Sequence, residues 1–466
     1  MSYQVPQHID KNKIFIVKRS EIEGRLDPKM ALYNQESHST QYHKIQLKKL
    51  LLKAPQYGAG ESGVTRKSYQ EPRYIRITDI DSNGIVNSKE LGATANNIED
   101  KYILNDGDIL FARSGATVGK TYLHKTKPYM CFYAGYLIRF VVNTSLILPE
   151  YLFAYTQLPI YKKWIAAIQR PSAQPNINAE EYQSLEIPLP NLDIQHYICN
   201  IIKNGYLTKQ KKEAEAQKLL DSIDGYILNE LGITMPKSDL NLKERIFFCN
   251  FKQATGGRLD PKFNNQWQKL KSLQCNYPKV TLADVVFNSG QYGANETAID
   301  YKEGDTRYIR ITDIDDLGCL KENNKVTCKN IEQNYMLHKN DLLFARSGSV
   351  GKCYIHKRIS EPAIFAGYLI RFIINAAIIN PDYLFYYCNC SLYKYWVDTI
   401  QRPAVQANIN SEEFRQIIIP LPPMAKQQKI ADHITALRHQ AAQLQQEGKE
   451  ALEKAKQEVE QMILGK

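Results

Sequence analysis

The hexapeptide GRLDPK stands at Gly24–Lys29 and again at Gly257–Lys262, and it opens a series of repeats. RYIRITDID follows at Arg73–Asp81 and Arg307–Asp315, LFARSG at Leu110–Gly115 and Leu343–Gly348, and AGYLIRF at Ala134–Phe140 and Ala366–Phe372. IQRP comes next, at Ile168–Pro171 and Ile400–Pro403, trailed by Asn176-Ile177-Asn178 and Asn408-Ile409-Asn410. Both copies close on IPLP, at Ile187–Pro190 and within Ile417–Pro422. The order is identical and the offset nearly constant, so the chain is written twice. The period is far longer than the units of about 20–50 residues that build solenoids. Each copy is therefore a whole domain followed by its own C-terminal segment.

Within a copy, short β-rich runs such as Tyr74–Ile77 and Tyr136–Val142 are separated by turn signals at Asp81–Gly84 and Asn105–Asp108. A proline-initiated helix is predicted at Pro149–Gln157 and at Pro381–Cys390. The globular parts read as mixed α/β (α+β) with a twisted, mostly antiparallel sheet. After IPLP the period changes. From Asp193 to Leu231 and from Met424 to Leu464, apolar residues recur at spacings of three, four and seven, the mark of an amphipathic helix. Neither stripe can be buried alone. The simplest solution packs the two helices on each other as an antiparallel coiled coil. Gly205 and Gly225 are places where the first helix is expected to kink or break.

The 466 residues carry 43% hydrophobic side chains and a net charge of +11, enough for real cores and compatible with a polyanionic partner. No apolar run reaches the roughly 18 residues that cross a bilayer, and Met1–Asp10 is polar, so a soluble, cytoplasmic chain is expected. The nine cysteines are odd in number and form no CxxC pair. They read as reduced, mostly buried thiols rather than disulfides or zinc ligands.

Three stretches imitate catalytic or cofactor motifs. Gly58–Gly63 matches GxGxxG, but its second copy, Gly293–Ala298, has lost two glycines, so a flexible loop is the better reading. Gly115–Thr121 resembles a P-loop with one residue too few, and its copy ends in Cys353 rather than a hydroxyl. Asn380–Tyr383 resembles an adenine-methyltransferase NPPY, yet the first copy, Leu148–Tyr151, has no Asn. The histidines form no ligand pattern. No catalytic, cofactor or metal residues are assigned.

If the polyanionic partner is a nucleic acid, its recognition needs cations for phosphates and forked or amide side chains for base edges. Arg113-Ser114 and Arg346-Ser347 in ARSG, with Lys120 and Lys352 a few residues on, make one candidate set; the alternative is a glycine turn with solvated charges. Arg76 and Arg310 share a strand face with the adjacent Tyr, or else pair with the following Asp. Gln169-Arg170 and Gln401-Arg402 read bases or merely order a loop. Tyr57 and Tyr292 open the region where the copies differ most, which makes Arg66 and Lys67 candidates. Arg139 and Arg371 read as strand-edge or core-capping residues, and Asp27 and Asp260 as turn formers.

GRLDP, YIRITDI, GDILFARSG followed by Gly-Lys, and a long helix after IPLP, all in duplicate, resemble the specificity subunit of type I restriction–modification systems. The resemblance spans nearly the whole chain. It implies two target recognition domains, at residues 1–192 and 236–423, separated by spacer helices at 193–235 and 424–466. It implies that each domain reads half of a split site in double-stranded DNA. Two modification subunits and restriction subunits would be the partners. S-adenosylmethionine, ATP and Mg²⁺ would belong to those partners, and this chain would itself be non-catalytic. The two domains are more alike here than is usual in that family, which predicts half-sites that share bases. The alternatives are a single-chain DNA methyltransferase or nuclease with a degenerate motif, and an RNA-binding adaptor.

Overall fold

A computed structural model describes residues 16, 28–35, 40–87, 90–96, 99–169, 175–236, 260–358, 360–401 and 407–465. The chain divides into two compact units, one of residues 1–212 with 445–466 and the other of residues 213–444.

The first unit is built on a four-stranded antiparallel sheet in the order Gln56–Tyr57, Leu137–Phe140, Ile109–Ala112, Thr121–Leu123. Ile109–Ala112 is an unbroken apolar run because both of its faces are covered, and all four residues are inaccessible to solvent. A second sheet orders Val64–Thr65, Ala93–Thr94, Arg73–Ile75 and Cys131–Tyr133, with the last two strands parallel. The second unit repeats the first sheet as Gln291–Tyr292, Leu369–Phe372, Leu342–Ala345, Cys353–Ile355. It splits the other into Ala298–Asp300 with Val326–Cys328 and a parallel pair, Arg307–Ile309 with Ala363–Phe365. The expected mixed class with mostly antiparallel pairing is the observed one. The proline-started helices span Pro149–Tyr155 and Pro381–Tyr387.

The helices after the IPLP closures run Leu192–Leu231 and Met424–Leu464. In the first unit Gly205 faces Ala455, Lys209 lies against Gly448, and Lys212 pairs with Glu447 at 2.7 Å. Residue numbers rise on one helix as they fall on the other, so the pair is antiparallel. In the second unit Tyr226 stacks on His433 at 4.1 Å and Glu230 pairs with Lys426, again antiparallel. Ile198, Ile202, Val459 and Ile463 enter the core of the first unit; Ile227, Leu231, Ile430 and Ile434 enter that of the second. The expected break at Gly205 and Gly225 does not occur: the first helix runs unbroken through both. A Cβ at Gly205 would come within 2.8 Å of the Ala455 methyl, so this glycine lets two backbones approach closely.

Asp260 caps a helix, Pro261–Lys271, by accepting the Phe263 N–H at 3.2 Å; Asp27 lies outside the described residues. Among the described residues eight cysteines are free, five of them buried. Also among them, no helix is long and apolar enough to cross a membrane, and no group of three or more His, Cys, Asp or Glu could hold a metal ion.

Candidate nucleic-acid interface

Arg113 leaves the buried strand Ile109–Ala112 at the point where the chain reaches the surface. Its N–H donates to the Tyr136 carbonyl at 3.0 Å and its carbonyl accepts the Ile177 N–H at 2.9 Å, which fixes the backbone on both sides. The guanidinium carbon sits 5.1 Å over the Tyr57 ring, close enough for a cation–π contact. The Tyr57 hydroxyl is held by the Ala179 N–H at 3.1 Å. Nε is buried without a hydrogen-bond partner, and no carboxylate among the described residues pairs with the guanidinium. The second unit builds the same set. Arg346 donates to the Tyr368 carbonyl at 3.0 Å, accepts from Ile409 at 2.9 Å and lies 4.8 Å over Tyr292, whose hydroxyl accepts from Ser411 at 3.3 Å. Its Nε too is buried and unsatisfied. Tyr136 and Tyr368 stand beside these arginines, 58% and 62% exposed.

Arg113 opens into a cleft of about 580 Å³ that also takes in Arg76, Tyr74 and Tyr136. Arg76 and Tyr74 do share a face, as strand alternation predicts. Arg76 is nevertheless committed to Asp79, donating from Nε at 3.1 Å and from a terminal nitrogen at 2.9 Å. That hydrogen bond raises the guanidinium above its ordinary range. Arg310 binds Asp313 in the same way at 3.2 and 2.9 Å.

Several candidates fall elsewhere. Lys120 does not join Arg113: its ammonium donates to the Ile80 carbonyl at 3.1 Å and lines a different hollow, with Asp81 and Lys162. Lys352 donates to Ile314 at 3.2 Å, pairs with Asp316 at 2.8 Å, and shares its hollow with Gln401 rather than Arg346. Ser114 and Ser347 are buried, bridged to Asn176 and Asn408 in ladder pairs, and present no surface hydroxyl. Arg66 is fully buried; it donates to the carbonyls of Glu71, Leu91 and Tyr69 and lies 4.2 Å over Tyr129, so it is a scaffold residue. Lys67 is exposed and stays in the candidate set. Gln169 ends the helix Pro159–Ile168 half-buried. Arg170 and Arg402 lie outside the described residues. Asn178 and Asn410 cap short helices, accepting from Glu181 and Glu413 at 2.8 Å each. Arg139 and Arg371 are tied to the Ile103 and Met336 carbonyls and to Asp108 and Asp341, in keeping with core-capping roles.

The motif look-alikes have packing reasons. The Gly119 N–H is taken by the Tyr182 hydroxyl at 3.1 Å, and a Cβ there would strike Ile165 at 2.8 Å, which leaves no cradle for phosphate. Gly58 is not in a loose loop: a Cβ would lie 2.2 Å from the Ala134 carbonyl, and Gly293 meets Phe365 likewise at 2.3 Å. Asn380 caps the helix Pro381–Tyr387. His124 and His356 are buried against Tyr122 and Tyr354, and burial pulls His124 down to about 4.

Tyr136 and Tyr368 join the candidate site from the structure alone, beyond the motifs. Their signal was present in AGYLIRF: an aromatic directly after a glycine, at the mouth of a buried strand, kept in both copies.

A sequence model described as the type I restriction modification DNA specificity domain matches residues 61–219 and 276–454. The MjaVIII specificity subunit of a type I restriction enzyme from Methanocaldococcus jannaschii is 22% identical over 375 residues, covering 78% of this chain and 79% of that protein. The putative MjaX specificity subunit of the same organism is 23% identical over 429 residues, covering 86% and 89%. The EcoKI specificity subunit of Escherichia coli K12 is 20% identical over 399 residues, covering 80% and 79%. A chain from a solved structure on complex assembly and conformational transition of the type I R-M system superposes with a TM-score of 0.50 at 14% identity, covering 90% of this chain and 96% of that one, and agrees in fold.

Proposed function

Because the chain belongs to the type I restriction–modification DNA specificity family, which recognises DNA sequence within such a system, we propose that each unit reads one half of a split site in double-stranded DNA. The chain then directs adenine methylation, and restriction, by partner subunits. Its own part is targeting rather than catalysis. S-adenosylmethionine, ATP and Mg²⁺ act in the partners, and the paired helices carry two modification subunits.

The observation that supports this reading is the arginine stacked on an exposed tyrosine, paired with no carboxylate among the described residues and present at the same place in both units. A partly exposed guanidinium that no carboxylate occupies can turn its terminal nitrogens to a phosphate oxygen or to the O6 and N7 of guanine. The rings of Tyr57 and Tyr292 lie under it. Tyr136 and Tyr368, Lys67, Arg76 and Arg310, Lys120 and Lys352, Gln169 and Gln401 complete the proposed contact set, with Arg170 and Arg402 from the sequence.

The test uses the full chain assembled with its modification subunits, with DNA retention and subunit composition measured together. R113A and R346A should weaken retention of DNA bearing the target and leave the subunit composition unchanged. Loss of assembly to the same degree would make these arginines structural and end the reading.

A further inference from the structure

Twelve residues line the cleft beside Arg113. Laid on the second unit through the repeat, ten keep their identity. Glu61, Tyr74, Arg76, Thr78, Arg113 and Tyr136 become Glu296, Tyr308, Arg310, Thr312, Arg346 and Tyr368, and the remaining shared positions are small or apolar. Backbone anchors repeat as well: the Tyr74 hydroxyl donates to the Ala59 carbonyl at 2.8 Å, and Tyr308 to Ala294 at 2.8 Å. A surface with the same donors and acceptors in the same places accepts the same base edges, because each base pair presents its own pattern in the major groove.

Two positions differ, Gly60 against Asn295 and Gly63 against Ala298. Only the first changes hydrogen-bonding capacity. A Cβ at Gly60 would meet nothing within 4 Å, so that corner of the first unit is open. In the second unit the Asn295 carboxamide oxygen lies 2.0 Å from where a Cβ of Gly367 would stand, which places it directly on the turn that carries Tyr368. A carboxamide there offers a donor and an acceptor together, the combination that matches the N6 and N7 edge of adenine.

We infer that the two half-sites of this chain's target are the same short base sequence written twice, and that the second unit specifies one base more than the first, through Asn295. The inference rests on the split-site reading above and adds the symmetry of the target.

The experiment expresses the full chain with its modification subunits in a host free of adenine methylation and reads methylated adenines by long-read sequencing. A split motif whose halves repeat, inverted or direct, is the expected result. A split motif with unrelated halves would overturn the inference while leaving the specificity-subunit reading intact. No split motif at all would remove both. In the same assay N295G should relax one base position, in one half alone, by roughly tenfold in discrimination. G60N should add a preference to the other half. An unchanged motif in both variants would take the assignment away from Asn295.

Discussion

The two units hold a buried cation behind their candidate interfaces in opposite ways. In the first, Arg66 is sealed among three backbone carbonyls and the ring of Tyr129, with no carboxylate among the described residues paired to it. In the second, the position of Tyr129 is taken by Glu361 and that of Arg66 by Tyr301. Glu361 binds Lys325 at 2.7 Å and lies 3.6 Å from Arg307 and 3.5 Å from Arg358, while Lys325 sits over Tyr301 at 5.7 Å. An aromatic has taken the place of the arginine and a carboxylate that of the tyrosine, and the cations now come from Lys325, Arg307 and Arg358. The arginine–tyrosine pair at the surface has not changed. The supporting layer has thus drifted between the copies while the exposed layer stayed fixed, the reverse of what packing alone would select, since surface residues are usually the freer ones.

The largest effect should come from R66A. It strands three carbonyls and removes a ring contact in a fully buried place, at a cost of about 3 kcal/mol. Hydrogen exchange should show residues 64–96 losing protection, and Y301A should cost the second unit much less. Equal losses would mean that the supporting layers of the two units are not organised differently. Next, R113A and R346A should each reduce DNA affinity about tenfold, roughly 1.4 kcal/mol, and lower the salt slope by about one unit if a phosphate is the partner. Binding curves at several salt concentrations measure this, and a tenfold disparity between the two variants would break the equivalence of the units.

A smaller effect attaches to Glu361. Burial opposes its ionisation, but Lys325, Arg307 and Arg358 outweigh burial and hold its carboxyl below the ordinary glutamate range. A depressed carboxyl contributes stability above the ordinary range and loses it as pH falls through the lowered value. The second unit should therefore weaken in acid in a way that E361Q, itself costing about 1 kcal/mol at neutral pH, partly abolishes. Acid unfolding followed by hydrogen exchange at residues 307–328 decides it; an unaltered acid profile in E361Q would contradict the network's role. The smallest concerns the helix glycines. G225A enters open space and should stabilise by roughly 0.5–1 kcal/mol. G205A meets Ala455 and should gain nothing or lose stability, as thermal melts would show.

What could be read from the chain beforehand followed from how local the cause was. The long helices were legible because a stripe at Ile430, Ile434, Leu452 and Val459 declares its period in place. The duplication was legible because repeats need no physics. Arg66 was misread because its partners are carbonyls of Tyr69, Glu71 and Leu91 and a ring at Tyr129, none of which leaves a pattern around residue 66. Pairing Arg113 with Lys120 failed for a related reason. Nearness in sequence was taken for nearness of side chains, yet Gly115 and Gly119, both at positive φ, turn the chain so that the lysine reaches Ile80 instead. Gly205 was read as a weak point because a glycine's propensity is visible in sequence and the methyl of Ala455 opposite it is not.

The closing of the first unit by the far end of the chain has a consequence for biosynthesis. Val459 and Ile463 are completely buried in its core, and the Glu460 carboxylate accepts the Ile160 N–H at 2.8 Å. A ribosome makes residues 213–444, the whole second unit, before those side chains exist, so the first unit waits with Ile198 and Ile202 uncovered until residues 459–463 emerge. A nascent chain stalled just before residue 445 should be held by chaperones at the unit translated first, and a chain cut at that point should lose more of the first unit than of the second.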